Sequence, residues 1–342
     1  MLRIKVSNLK PGSRSGKDLY SYDSQLLLAQ GTIITQEHLN SFATRGIEEI
    51  FIMDSQPRRR SGRHFADTYG ESLQVAKSFM LEAKLGKSMD GEDIRKITDM
   101  LFLQVFDEND LFRHMRLMKD KDDYLFTHSV NVSLLCILIG RWLQLDEGTI
   151  RELGTAGLLH DIGKIQIDGA ILTKPAKLTD EEFDEIKKHT MLGFNLIVQT
   201  GAFSTEIANA ALMHHERTDG SGYPMGVKGY KTPLSAAVTA VADVYDAITS
   251  DRPYSNRCSP YTAAEVLLQE SFGRLDPRIV KVFYDKIINF YVGNQVLLSN
   301  NEKGVVIYID PSQPTRPIVM VDDDKFYNLA TDRHIMIQEV ID

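Results

Sequence analysis

Ala156-Gly157-Leu158-Leu159-His160-Asp161-Ile162-Gly163-Lys164 closes an apolar helical segment on a histidine and an aspartate. A carboxylate in such surroundings carries a large desolvation cost unless a cation neutralises it. Outward from this stretch, five of the 9 histidines fall between residues 128 and 215: His128, His160, His189, His214 and His215. Each lies in a segment of helical pattern. One such histidine is more often a satisfied core or surface residue than a ligand, because a buried ring needs partners for both nitrogens. Five of them, with two aspartates in apolar surroundings, are harder to dismiss. The second aspartate, Asp243, follows the small-residue run Ala236-Ala237-Val238-Thr239-Ala240-Val241-Ala242. It is in mid-helix, so an N-cap role fails and a cation is its obvious partner. His214 and His215 are adjacent, and neighbouring side chains on a helix diverge by about 100°. Both reach one site only if it is wide, as a centre with metals about 3.5–4 Å apart is.

The donor set of imidazoles and carboxylates without thiolate suits iron, manganese or zinc. Two divalent transition metals need a bridge, and Asp161 is the candidate, together with a hydroxide. Such metals lower the pKa of that water and stabilise charge on a phosphate. Lys164, one turn beyond His160, can place its ammonium on the phosphate; the plain alternative is a solvated lysine at a helix end. Asp161 and Lys164 are thus the candidate catalytic residues.

Hydrophobic residues make up 43% of the 342-residue chain and charged residues 25%. That is enough apolar material for a core without staples. The net charge of -8 disfavours a nucleic-acid polymer as partner, though not a local pocket for a small phosphate ligand. The 2 cysteines, Cys136 and Cys258, build neither a disulfide framework nor a zinc–thiolate cluster, and read as buried apolar thiols. No signal peptide is expected at Met1–Val6, and no window reaches the roughly 18 apolar residues of a bilayer span. The expected location is the cytoplasm, without membrane insertion.

The pattern predicts a small α+β module over 1–54, with strand-like Leu2, Ile4 and Val6. Leu26–Leu28 and Thr32–Ile34 read as further strand material, with a helix capped by Thr35 and a last strand around Ile50. Pro57-Arg58-Arg59-Arg60-Ser61-Gly62-Arg63 falls in a linker, 55–65. It reads as solvated, because no apolar helix face accompanies it. Two apolar-striped helices form a connector over 66–118 and could pair two subunits. Helices follow over 119–290, one opening on the capping-box spacing Thr179-Asp180-Glu181-Glu182 and running through His189. A β-rich tail over 291–342 has runs at Gln295–Leu298, Val305–Ile309, Ile318–Val321 and Ile335–Ile337.

Three segments resemble the HD-GYP family, a bacterial branch of the HD-domain metal phosphohydrolases, over roughly residues 119–290. His160-Asp161-Ile162-Gly163-Lys164 is similar to its HD signature. His214-His215-Glu216-Arg217-Thr218-Asp219-Gly220-Ser221-Gly222-Tyr223-Pro224 is similar to its extended GYP signature, the most specific of the three. Ala242-Asp243-Val244-Tyr245-Asp246-Ala247-Ile248-Thr249-Ser250-Asp251-Arg252-Pro253-Tyr254 is similar to the segment that follows. Shared spacing over all three is far stronger than any one motif.

The resemblance implies a mainly α fold, an HD-type helical metal-binding core with a small β-rich N-terminal module and a short β-rich C-terminal tail. It implies hydrolysis of cyclic di-GMP to linear pGpG and on to GMP in bacterial second-messenger signalling, with an upstream signalling partner that the sequence does not name. It places His128 as first ligand on its own helix and His189 as the ligand between the signatures. It also places Arg252 as a substrate-binding guanidinium, able to grip a phosphate in bidentate fashion. Tyr223 could meet a phosphate or stack near a base. Two departures stand out. Tyr124 occupies the position where some members carry an acidic ligand for a third metal, so two metals are expected. Ser255 occupies a position that is basic in some members, with Arg257 nearby, which weakens the expected substrate grip. Two other readings stay open: a catalytically silent cyclic-dinucleotide-binding module, and an HD phosphohydrolase acting on another nucleotide.

Overall fold

The computed structural model describes residues 2–6, 9, 13–20, 26–29, 31–45, 47, 49–53, 65–87, 90–105, 115, 124–174, 176–229, 231–250, 258–287, 291–310, 312–322 and 325–341. The chain divides into two units, Met1–Arg63 and His64–Asp342. In the first, β1 (Leu2–Lys5) and β2 (Arg14–Ser15) flank β5 (Glu49–Met53), all antiparallel. A hairpin of β3 (Leu19–Tyr20) and β4 (Leu26–Leu28) and the helix α1 (Gln36–Thr44) complete it. Thr35 Oγ1 accepts from the His38 N–H at 3.3 Å and caps α1. Leu9, Leu28, Ile34, Phe42 and Ile50 form its core. Thr32–Ile34 does not form the strand that the sequence predicted. It is tied to residues 13–15 by two backbone hydrogen bonds, from Ser15 N–H to Thr32 and from Ile34 N–H to Ser13, beside a third from Gly31 N–H to Ser15. The arginine-rich linker lies outside the described residues.

The second unit opens on α2 (Phe65–Lys84) and α3 (Gly91–Gln104). Next come α4 (Tyr124–Trp142), α5 (Glu147–Leu159), a 3-10 turn (Ile162–Gln166) and the short α6 (Gly169–Leu172). Then follow α7 (Asp180–Lys187), α8 (His189–Thr200), α9 (Thr205–Met213), α10 (Leu234–Thr249), α11 (Pro260–Glu270) and α12 (Pro277–Ile287). Helix α4 is the hub, because every residue from Thr127 to Gly140 is buried. A helix apolar all round belongs in a core or a membrane. Leu125–Trp142 is long and apolar enough to span a bilayer by length and composition, which corrects the expectation that no window would be. Polar groups such as Ser133 interrupt the run but do not bring its mean hydropathy below that of a span. Within the protein 78% of the segment is buried, and Ser133 Oγ donates to the Gly154 carbonyl at 2.7 Å.

Two helix boundaries differ from the sequence pattern, and both matter for the site. The Thr179–Glu182 capping box is present, but α7 stops at Lys187 and α8 begins anew at His189. Helix α9 stops at Met213, so His214 is its C-cap and His215 lies beyond it.

A five-stranded antiparallel sheet ends the chain: β6 (Gln295–Leu298), β7 (Lys303–Tyr308), β8 (Ile318–Asp322), β9 (Lys325–Asn328) and β10 (Ile337–Ile341), in the order β10-β6-β7-β8-β9. Strand β9 escaped the sequence reading because it is an edge with Lys325 and Phe326 exposed, without apolar alternation. The last strand lies later than the predicted Ile335–Ile337 run. Val296, Leu298, Val306 and Val319 belong to the same apolar core as the helices.

Candidate metal centre

The candidate ligands come from six elements, with His214 and His215 at the end of α9. His128 and Asp243 project from inside α4 and α10. His160 is the C-cap of α5, Asp161 the N-cap of the 3-10 turn, and His189 the first residue of α8. Two glycines make the close approach possible. A Cβ on Gly163 would lie 2.0 Å from the His189 carbonyl oxygen and 2.5 Å from the Gly193 nitrogen, so only glycine lets the turn carrying Asp161 rest on the start of α8. A Cβ on Gly222 would lie 2.4 Å from both the His215 oxygen and the Arg217 nitrogen. There the loop folds back on the two histidines.

The side chains form two groups, each with ligand atoms within 4.8 Å of one another: Asp161, His189, His214 and His215, and His128, His160 and Asp243. Asp161 faces both. Its Oδ1 lies 3.4 Å from His189 Nε2 and 3.8 Å from His214 Nε2. Its Oδ2 lies 3.4 Å from His160 Nε2 and 3.8 Å from His128 Nε2. Asp243 Oδ1 is 3.1 Å from His128 Nε2. The Lys164 ammonium contacts Asp161 Oδ2. His214 and His215 share one group, with ring centroids 4.0 Å apart. A wide site is therefore not what admits both, contrary to expectation: the two rings lie side by side at the end of α9, where His214 is the C-cap and His215 lies beyond the helix.

Hydrogen bonds fix the tautomers. The Nδ1–H of His160 donates to the Gly157 carbonyl at 2.7 Å, that of His189 to Ile186 at 2.6 Å, and that of His214 to Ala210 and Ala211 at 3.0 and 3.1 Å. These are last-turn carbonyls, where a helix runs short of N–H partners; the Ala210 carbonyl also accepts the His214 N–H at 3.1 Å. His128 Nδ1 instead donates to Asp246 Oδ2 at 2.7 Å. Nε2 of His160, His189 and His214, and Asp161 Oδ1, are buried without a hydrogen-bond partner. Buried polar atoms are nearly always satisfied, so four such atoms converging on one place need a cation. The donor set fits a divalent metal: imidazole Nε2 atoms held by their other nitrogen, and carboxylates beside them.

The electrostatics agree. Burial pushes His189, His214 and His215 down, His215 to about 3, so all three are neutral. Burial works to raise Asp161, yet Lys164 and His160 hold it well below the carboxylate range; His128 does the same for Asp243. For His128, burial is outweighed by Asp243 and Asp246, and it rises to about 9. Neutral imidazoles and ionised carboxylates are the states that bind metal, so His189, His214, His215 and the two aspartates are in that state, whereas His128 must give up a proton to a cation at its group.

Of the expected substrate contacts, Tyr223 stacks on His215 with ring centroids 4.6 Å apart, and burial pushes its hydroxyl up. Lys164 lies at the cluster, with its side chain 24% exposed. Arg252, Ser255 and Arg257 lie outside the described residues. Tyr124 opens α4. Sequence reasoning missed Glu216, whose carboxylate accepts the N–H groups of Met225 at 2.7 Å and Val227 at 2.9 Å and so closes the loop. It also missed Asp246 and Asn131. Their signal was available, as each lies three residues beyond a candidate ligand on an apolar helix.

Residues 114–279 match the family described as HD domain. A cyclic di-GMP phosphodiesterase of Pseudomonas aeruginosa is 36% identical over 247 residues, covering 72% of this chain and 59% of the relative. The cyclic di-GMP phosphodiesterase response regulator RpfG of Xanthomonas campestris pv. campestris is 37% identical over 261 residues, 73% of this chain and 64% of the relative. The chain thus spans about three fifths of the length of these curated relatives. Among solved structures, a HDG"Y"P protein from Bdellovibrio bacteriovorus superposes with a TM-score of 0.53 at 17% identity, covering 84% of this chain and 99% of that one, and so shares the fold. The matched segment contains every ligand candidate from His128 to Asp243, and the chain therefore carries an HD domain.

Proposed function

We propose that this chain is a dinuclear metal-dependent phosphodiesterase that hydrolyses cyclic di-GMP. The observation that carries the proposal is Asp161, whose two oxygens face the two ligand groups separately. His189, His214 and His215 would hold one metal, and His128, His160 and Asp243 the other, with Asp161 between them. Iron or manganese suits this donor set best, and zinc also fits. Two such cations supply a water that is nucleophilic near neutral pH and offset negative charge on the phosphate.

The residues of the chain do the rest. Lys164 offers a partly exposed ammonium to a phosphate oxygen, as a point charge beside the attacked phosphorus. Tyr223 forms a wall of the site against His215, and Arg252 is proposed as a second phosphate contact. The identities of the relatives support the substrate. The free thiols Cys136 and Cys258 fit a reducing compartment, and we place the reaction in the cytoplasm. A homodimer through α2 and α3, where Leu81, Leu85 and Leu103 are exposed, belongs to the same proposal and is checked by light scattering.

The test is turnover of cyclic di-GMP by the purified full chain loaded with Mn²⁺ or Fe²⁺, with products separated by chromatography. Linear pGpG, with or without GMP, is expected. Tight nucleotide binding without product from a folded, metal-loaded chain would instead make this a silent binding module. Turnover of other nucleotides alone would make it a different HD phosphohydrolase.

A further inference from the structure

A continuous line of buried hydrogen bonds runs from α2 to His128. Tyr69 Oη donates to Asn131 Oδ1 at 2.7 Å, and Asn131 Nδ2 donates to Asp246 Oδ1 at 2.9 Å. Asp246 Oδ2 accepts from His128 Nδ1 at 2.7 Å and from Ser250 Oγ at 3.1 Å. Tyr69 and Asn131 are fully buried, and Asp246 and His128 are nearly so. The sense of the line is fixed. The Asn131 amide must turn its N–H toward a carboxylate, so its oxygen faces Tyr69 and the tyrosine must donate.

Stability does not explain the line. Burying a carboxylate costs several kcal/mol, and well-packed apolar groups of similar volume are often as stable or more so. What distinguishes it is where it ends. His160, His189 and His214 are held by neutral carbonyls, whereas His128 is held by a carboxylate, which orients the ring and makes it a stronger donor.

We infer that Tyr69, Asn131 and Asp246 are positioning residues that set the tautomer and tilt of His128. They thereby set the metal affinity of the group formed by His128, His160 and Asp243, and place part of that control on α2, the first helix of the second unit. The inference rests on the metal-centre reading above.

Tyr69→Phe keeps the buried ring and removes only the hydroxyl. Asp246→Asn keeps the shape and removes the charge. Mn²⁺ is titrated calorimetrically into metal-free full chain, and the histidine nitrogens are followed by NMR. The wild type should show two binding events. Tyr69→Phe should weaken one of them about tenfold and Asp246→Asn about a hundredfold, leaving the other unchanged. The His128 Nδ1–H resonance should move in both variants. Unchanged affinity in Tyr69→Phe, or equal weakening of both events, overturns the inference. A wild-type chain that takes up no Mn²⁺ overturns the metal-centre reading itself, which separates the two failures. Should Asp246→Asn fail to fold, Tyr69→Phe decides alone.

Discussion

His128 and Asp243 leave the interiors of long buried helices, whereas His189, His214 and His215 sit where helices begin or end. The interior pair is aimed by core packing, and His128 is backed by the buried carboxylate of Asp246. Of the end residues, His189 and His214 are aimed by their Nδ1–H bonds to last-turn carbonyls, and a loop doubled back at Gly222 packs against His215. A helix terminus supplies the second hydrogen bond of an imidazole at no cost in buried charge, because its carbonyls run short of N–H partners. A helix interior has no free carbonyl, so a ligand there needs a side chain behind it. Asp161 stands between the two constructions and serves both.

The largest effect should come from Asp161→Ala. It removes the oxygens that face both groups, so metal content should fall to near zero and turnover to assay background. Retention of half the metal would show that Asp161 serves one group only. The comparison predicts next that His128→Ala is costlier to folding than His189→Ala. The first takes the imidazole from the buried Asp246 carboxylate and leaves it the neutral donors Asn131 and Ser250, a loss of about 3–5 kcal/mol. The second breaks a bond to one carbonyl, on the order of 1–3 kcal/mol. Urea unfolding of the metal-free variants measures both, and equal losses would erase the distinction between interior and terminal ligands.

Gly163→Ala should destabilise by about 1–3 kcal/mol through overpacking against the start of α8, and should weaken metal binding by displacing Asp161 from His189. A folded Gly163→Ala chain with unaltered metal affinity would show that the contact tolerates a methyl group.

The pH profile of metal-free stability probes the same contrast without a substitution. His189, His214 and His215 are held below the usual imidazole value of 6.5. As pH falls below 6.5, the unfolded chain takes up protons that the folded chain refuses, and stability drops. His128 acts in the opposite sense. Raised to about 9, it contributes stability that is full below 6.5 and is lost as pH rises through 9. From these four groups a maximum near pH 6.5 follows, and His128→Gln should flatten the alkaline limb alone.

Much of this was legible in the chain. Histidines and aspartates on apolar helices identified the candidate ligands, because buried polar groups must be partnered and a cation partners several at once. Helix ends were harder to see. The run from Asp180 through Leu192 looks continuous, and only the fold shows that α7 ends at Lys187 and α8 begins at His189, whose Nδ1–H meets the Ile186 carbonyl. Likewise Asp246 sits one turn from Asp243 in the same apolar stretch, but its role depends on α4 lying against α10, a tertiary fact. Edge strand β9 left no trace, since its exposed side chains carry no alternation.

Metal analysis of anaerobically purified full chain, together with His128→Ala and His189→Ala, tests the pairing of the two ligand groups most directly. Close to two first-row metal ions per wild-type chain and about one in each variant is the predicted result. A single ion in the wild type, or none in all three folded proteins, would contradict it.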